Sequence, residues 1–201
     1  NTLANEDLPL FTPRNQILLS NPVNNNNDNP RIFLKSILKP LKGLEAVFEY
    51  TFDKNIYDYH WYTGQYDYTT IQGGSSKSFV DDYLRKYKQH TNYNAINVYA
   101  TYSKKFGDHN FKVMAGFNQE SSYQETLDAY SYNQAVIDVP AMGSGTGTIK
   151  ATDSYSEYAV RGGFFRVNYN YQDKYLLEVN GRYDGSSKFP KSSRFGFFPS
   201  V

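Results

Sequence analysis

The strongest constraint in this sequence is a period of two: apolar and polar side chains alternate residue by residue over long stretches. Leu44, Ala46, Phe48, Tyr50 and Phe52 interleave with Glu45, Val47, Glu49, Thr51 and Asp53. That pattern puts an apolar row and a mostly polar row on opposite faces of one strand. Ile96, Val98, Ala100 and Tyr102 alternate with Asn97, Tyr99, Thr101 and Ser103 in the same way. So do Phe111, Val113, Ala115 and Phe117 with Lys112, Met114, Gly116 and Asn118. Further along, Phe165, Val167 and Tyr169 oppose Arg166, Asn168 and Asn170, and Leu177, Val179 and Tyr183 oppose Glu178, Asn180 and Arg182. Residues 32–38 add a short apolar-rich strand, and another begins at Phe195.

The connections alternate in length. Residues 39–43, 104–110 and 172–174 read as tight turns, whereas 54–91 and 126–152 read as long loops. Within the first loop, residues 79–88 admit either a short helix or a strand arm. Within the second, Gly143, Gly145 and Gly147 predict a mobile segment. Tight turns at one end and long loops at the other are the habit of bacterial outer-membrane barrels. A soluble sandwich has no reason to place its long loops at one end only. Patterned runs of about 10–14 residues match the 9–11 that cross a bilayer at a tilt and exceed the usual strand. Residues 1–30, with four prolines and the Asn-rich run 24–29, read as a loop or extended segment; 31–201 read as part of a barrel domain.

Composition agrees. The 201 residues include 20 Tyr, 14 Phe and 1 Trp, an abundance that suits strands and the aromatic girdles at the edges of a membrane barrel. Mean hydropathy is −0.67, which is compatible with barrel strands because half of their side chains are polar. No window supplies the roughly 20 apolar residues of a spanning helix. A net charge of +1 with no long basic run excludes nucleic acid as a partner, and the absence of cysteine excludes thiol chemistry. The opening Asn1-Thr2-Leu3-Ala4 is no signal peptide, so an exported chain would have lost its leader or be an internal piece.

No catalytic, cofactor or metal residues emerge. His60, His90 and His109 lie far apart and lack companions at ligand spacing. Ser186 and Ser187 have no matched base or strand–turn–helix setting. The glycines at 143, 145 and 147 do not match a phosphate loop. Glu45, Glu49 and Asp53 share a strand face and read as a polar wall facing water rather than an acid–base pair. Trp61, Tyr62, Tyr66 and Tyr68 lie in the first long loop; they contact substrate or a lid protein, pack their own loop, or sit at the membrane interface.

At the C-terminal end the stretch Tyr175-Leu176-Leu177-Glu178-Val179-Asn180-Gly181-Arg182-Tyr183-Asp184-Gly185-Ser186-Ser187-Lys188-Phe189, followed by Arg194 and Phe198-Pro199-Ser200, resembles SusC/RagA-like TonB-linked outer-membrane transporters. Lys42-Gly43-Leu44 and Asp173-Lys174-Tyr175 lend weaker support. The resemblance implies active import of glycans or peptides through a plugged barrel in the bacterial outer membrane. It also implies a SusD-like lipoprotein lid, outer-membrane lipid around the wall, and TonB acting through a plug region that these residues lack. The expectation is therefore an all-β, antiparallel transmembrane β-barrel segment, about seven or eight strands of a larger barrel with long external loops, and not an enzyme. The alternative is a soluble β-sandwich carbohydrate-binding module. It would gather Phe48, Val98, Phe165 and Val179 in a sealed interior, where the barrel turns them outward.

Overall fold

The computed structural model describes residues 23–64, 67–69, 75–77 and 82–201. They form β1 (Val23–Asp28), β2 (Arg31–Leu41), β3 (Leu44–Thr63), β4 (Asp67–Thr69), β5 (Ser75–Lys77), β6 (Tyr83–Phe106), β7 (His109–Tyr132), β8 (Ile149–Tyr171), β9 (Tyr175–Ser186) and β10 (Phe195–Ser200). Eight strands make one sheet in the order β1-β3-β6-β7-β8-β9-β10, with β2 also paired to β3; β4 and β5 pair separately. The β1–β3, β2–β3, β4–β5, β8–β9 and β9–β10 pairs are all antiparallel.

The strands are far longer than their apolar pattern suggested. β6 and β7 have 24 residues each and β3 has 20. At about 3.3 Å per residue, 24 residues reach roughly 80 Å, well over the ~30 Å hydrocarbon thickness. The loops read at 54–91 and 126–152 shrink accordingly, because β3 runs on to Thr63 and β6 begins at Tyr83. Residues 83–88 are strand, not helix. Val23–Asp28, within the segment read as loop or extended, pairs with β3 in the register that β2 also keeps; Asp28 faces Ile56 and Arg31 faces Asp53.

The chain divides into two compact units. One comprises Asn29–Asn55, His90–Gln124 and Tyr155–Val201. Its turns are tight: Lys42-Gly43, Gly107-Asp108 and Gln172-Asp173-Lys174. Gly43 and Gly107 adopt φ of +87° and +54°, the left-handed region that glycine enters without steric cost. Neighbouring turns also bond to each other, Gln172 N donating to Asp108 O at 3.0 Å. The apolar rows point away from the protein: Phe48, Val98 and Phe165 are 43%, 44% and 40% exposed, and Val179 is half-buried. Among the described residues no sealed interior gathers them, so the sandwich alternative fails. Beside the tight turns the exposed row turns aromatic. Phe111 lies 4.8 Å from Tyr169, His109 4.7 Å from Tyr171, and Tyr171 6.4 Å from Tyr175, an arrangement that fits a membrane-edge girdle.

The opposite face of this unit is polar and internally matched. Lys39 meets Glu45 at 3.2 Å, Lys35 meets Glu49 at 2.8 Å, and Arg31 Nε donates to Asp53 at 2.9 Å. Each carboxylate on the β3 face thus has a cation across the strand pair, which leaves no free pair for acid–base work.

Candidate functional site

The second unit comprises Ile56–Gln89 and Glu125–Ser154 together with Val23–Asp28 among the described residues. Here β3, β6 and β7 carry polar and aromatic residues on both faces, so no apolar row remains. On one face Arg85 is the hub. Its Nε and Nη2 donate to the two oxygens of Asp128, each at 2.9 Å, a bidentate geometry that fixes the guanidinium plane. Its guanidinium carbon lies 5.7 Å from the centroids of Tyr59 and Tyr87 and 5.3 Å from Tyr130, within cation–π range. The Asp128 bond raises the Arg85 pKa further. Burial, and after it the Asp128 charge, raise that of the Tyr130 phenol.

Around this hub the rings continue. Tyr83 sits 5.9 Å from Trp61, 5.8 Å from Tyr130 and 5.7 Å from Tyr132, and Tyr57 lies 5.8 Å from Tyr87. The rings are half-buried; Tyr130 and Tyr132 lie nearly parallel at 6.4 Å, and Lys150 Nζ stands 5.3 Å from the Tyr132 centroid. Alternation explains the gathering, since Tyr57, Tyr59 and Trp61 on β3 and Tyr83, Arg85 and Tyr87 on β6 each recur at every second residue.

The other face of the unit is closed. Leu84 is fully buried, and Tyr62 is 7% exposed. Burial first, then the Asp82 carboxylate, push the Tyr62 phenol up to about 12. Beyond β7 the connection folds around the buried Gln134. Its Nε2 donates to Ser131 O at 2.9 Å, and its Oε1 accepts from Ala141 N at 3.1 Å and Ser144 Oγ at 2.7 Å. Ser131 Oγ donates to Met142 O at 3.0 Å, and Thr146 N to Asn133 O at 2.8 Å. The glycine-rich segment read as mobile is therefore pinned. Two of its glycines serve close packing, because a Cβ on Gly145 would collide with Ser131 Oγ and one on Gly147 with Asn133, whereas Gly143 has open space around it. Gly145→Ala is expected to cost about 1–3 kcal/mol locally and to open residues 133–148 to limited proteolysis before the rest of the fold. Unchanged cleavage would refute the pinning.

The four aromatic residues singled out from sequence thus part company. Trp61 joins the ring cluster, whereas Tyr62 turns to the closed face and is a packing residue. Tyr66 lies outside the described residues; Tyr68 is on β4, and its side chain is likewise outside them. Sequence reasoning missed Tyr59, Tyr83, Arg85, Tyr87, Tyr130 and Tyr132. Tyr and Trp at every second position was the signal that could have found them.

The motif at 184–200 forms a joint between β8, β9 and β10. Asp184 accepts both arms of Arg182 at 3.0 Å, and Arg182 also donates to Asn118 at 3.1 Å. Gly185 lies beneath the Phe195 ring. Ser186 N donates to Arg194 O at 3.1 Å, and Phe189 N to Ser186 O at 3.3 Å. Ser187 pairs with Ala159 through both its amide and its hydroxyl at 2.8 Å. Phe198, Pro199 and Ser200 pair with Arg182, Gly181 and Asn180. These contacts are structural. Among the described residues no group of three His, Asp or Glu side chains could hold a metal.

Comparison with known proteins matches this architecture. No family model matches the chain. It is 31% identical over 139 residues to TonB-dependent receptor P3 of Formosa agariphila, covering 68% of this chain and 14% of that protein. It is 29% identical over 123 residues to TonB-dependent receptor SusC of Bacteroides thetaiotaomicron, covering 59% of this chain and 11% of the relative. Among solved structures, the RagAB peptide transporter superposes with a TM-score of 0.77 at 16% identity, over 89% of this chain and 20% of that one. The RagAB peptide importer in its open-open state gives 0.75 at 18% identity, over 89% and 19%.

Proposed function

Because the chain belongs to the SusC/RagA-like TonB-dependent receptors, we propose that it forms part of the barrel wall of an outer-membrane importer of oligomeric nutrients, glycans or peptides. A SusD-like lipoprotein covers the external side, and TonB drives uptake through a plug outside these residues. The wall makes and breaks no bond; it supplies a lipid-facing exterior, a water-facing interior and external surface for substrate. The observation that carries this reading is the outward apolar row with its aromatic border, opposite a face of matched ion pairs. An exposed apolar surface of that extent needs a partner, and lipid fits a row spread over successive strands. On this reading the Arg85 unit stands outside the bilayer, where rings such as Trp61 meet substrate.

The test uses the full-length receptor in its own host. It is expected in the detergent-soluble outer-membrane fraction, with uptake of a labelled oligomer that stops when a protonophore collapses the proton-motive force. Recovery in the aqueous fraction, or uptake indifferent to the protonophore, would overturn the proposal.

A further inference from the structure

We infer that the tight-turn end of the wall binds anionic phospholipid headgroups, through lysines seated at its aromatic border. The inference rests on the importer reading and deepens it, by assigning a headgroup charge to the lipid that meets the wall. Three observations carry it.

Position is the first. On the outward row of β6, Ile96, Val98, Ala100 and Tyr102 carry no charge. Lys104, two residues beyond, keeps the same parity, and its Nζ stands 4.6 Å from the centroid of the Phe106 ring. That ring lies 6.3 Å from Phe111, on the outward row of β7. Tyr102 and Phe106 are both exposed. The cation is thus placed on the lipid side of the wall, where the apolar row ends. A lysine there lays its stem along apolar surface and puts its ammonium at headgroup depth.

Charge is the second. On the opposite face Lys35 meets Glu49, Lys39 meets Glu45 and Arg182 meets Asp184. Among the described residues Lys104 has no such carboxylate partner, and neither have Lys42, Lys105 and Lys174, all exposed in or beside the tight turns. The acids of those turns are held by amides: Asp108 accepts from Gln172 Nε2 at 2.7 Å, and Asp173 from Asn170 Nδ2. Positive charge is in excess at this end, and a phosphodiester supplies the missing sign.

The rings are the third. Tyr169 OH and His109 Nδ1 share a hydrogen bond at 2.8 Å, and the exposed Tyr175 follows Lys174 directly. Apolar ring bodies with polar tips suit the depth at which acyl chain gives way to headgroup. An acidic protein would meet the lysines but leave the apolar border beside them uncovered. One phospholipid covers both, with its phosphate on Lys104 and its acyl chains along Tyr102 and Val98.

The experiment places the full-length receptor in phosphatidylcholine vesicles, with bimane attached at Tyr102→Cys and any other cysteine replaced by serine. Doxyl-labelled phosphatidylglycerol and doxyl-labelled phosphatidylcholine are added as trace quenchers. Phosphatidylglycerol is expected to be locally enriched, by about fivefold for each lysine close to the surface, and the enrichment should shrink as salt is raised. Lys104→Gln should remove about fivefold of it and Lys174→Gln should lower it further. Lys104→Arg should keep it, which separates charge from misfolding. Equal quenching by the two lipids, or enrichment that survives Lys104→Gln and Lys174→Gln together, would overturn headgroup selection while leaving the wall in lipid. Quenching by neither would mean that something other than lipid covers this face, and would overturn the importer reading as well.

Discussion

Val113→Arg is expected to remove most folded receptor from the outer membrane, while Met114→Arg, one residue further on, leaves the yield close to normal. Val113 is exposed and stands between Phe111 and Phe117 on the apolar row of β7. If that row meets lipid near mid-depth, arginine there costs about 2–4 kcal/mol, roughly thirty- to several-hundredfold in the folding equilibrium. Met114 points to the other face, which it shares with Asn118, the acceptor for Arg182. An arginine there can reach water and existing polar partners. Outer-membrane fractionation and heat-modifiable mobility on gels read both variants. Equal tolerance of the two would mean that the exposed row does not lie in lipid.

The same contrast explains what could be read from the sequence. Leu44–Phe52 alternated visibly because its two faces meet different surroundings, apolar on one side and ion-paired on the other. Past Asp53 the strand continues, but Asn55, Ile56, Tyr57, Asp58, Tyr59 and His60 no longer sort by hydropathy. When both faces carry polar and aromatic side chains, as they do here, a period of two in hydropathy has no physical cause, and the stretch looks like loop. What persisted was ring placement, at Tyr57, Tyr59 and Trp61, because strands favour aromatic neighbours across the sheet. The Asn-rich β1 was obscured for a related reason. Its pairing uses backbone groups that carry no hydrophobic signature, and Pro30 interrupts the run while its carbonyl still accepts Lys54 N at 3.0 Å.

Long-range partners were equally beyond a linear reading. Gly145 looked like flexible linker until Ser131 and Gln134, more than ten residues earlier, supplied the surface that it packs against. Arg85 looked like one more solvated charge, and its meaning depends on Asp128, 43 residues away. The motif at 184–189 was recognisable as a string of residues. That its role is to clamp three strands follows only from Ala159, Arg194 and Phe195 coming to meet it.

Asp128→Asn should therefore leave the Arg85 guanidinium without the carboxylate that now matches its charge. The substitution preserves shape, removes the charge and turns one of the two acceptor oxygens into a donor, so one of the two Arg85 bonds is lost while the side-chain volume is kept. Arg85 stays protonated at any working pH, and about 30% of its side chain is open to solvent, so the released charge can reach a ligand. A charge-assisted hydrogen bond contributes about 1.5–3 kcal/mol, and partial exposure with salt screening lowers that range. Affinity for hexagalacturonate should rise roughly tenfold, and the gain should shrink as salt is raised. Maltoheptaose, which carries no charge, should gain nothing from the released cation. Titration calorimetry of both probes at low and high salt separates the outcomes. A gain for hexagalacturonate that ignores salt, or no gain at all, would show that Asp128 is not what holds the Arg85 charge in check.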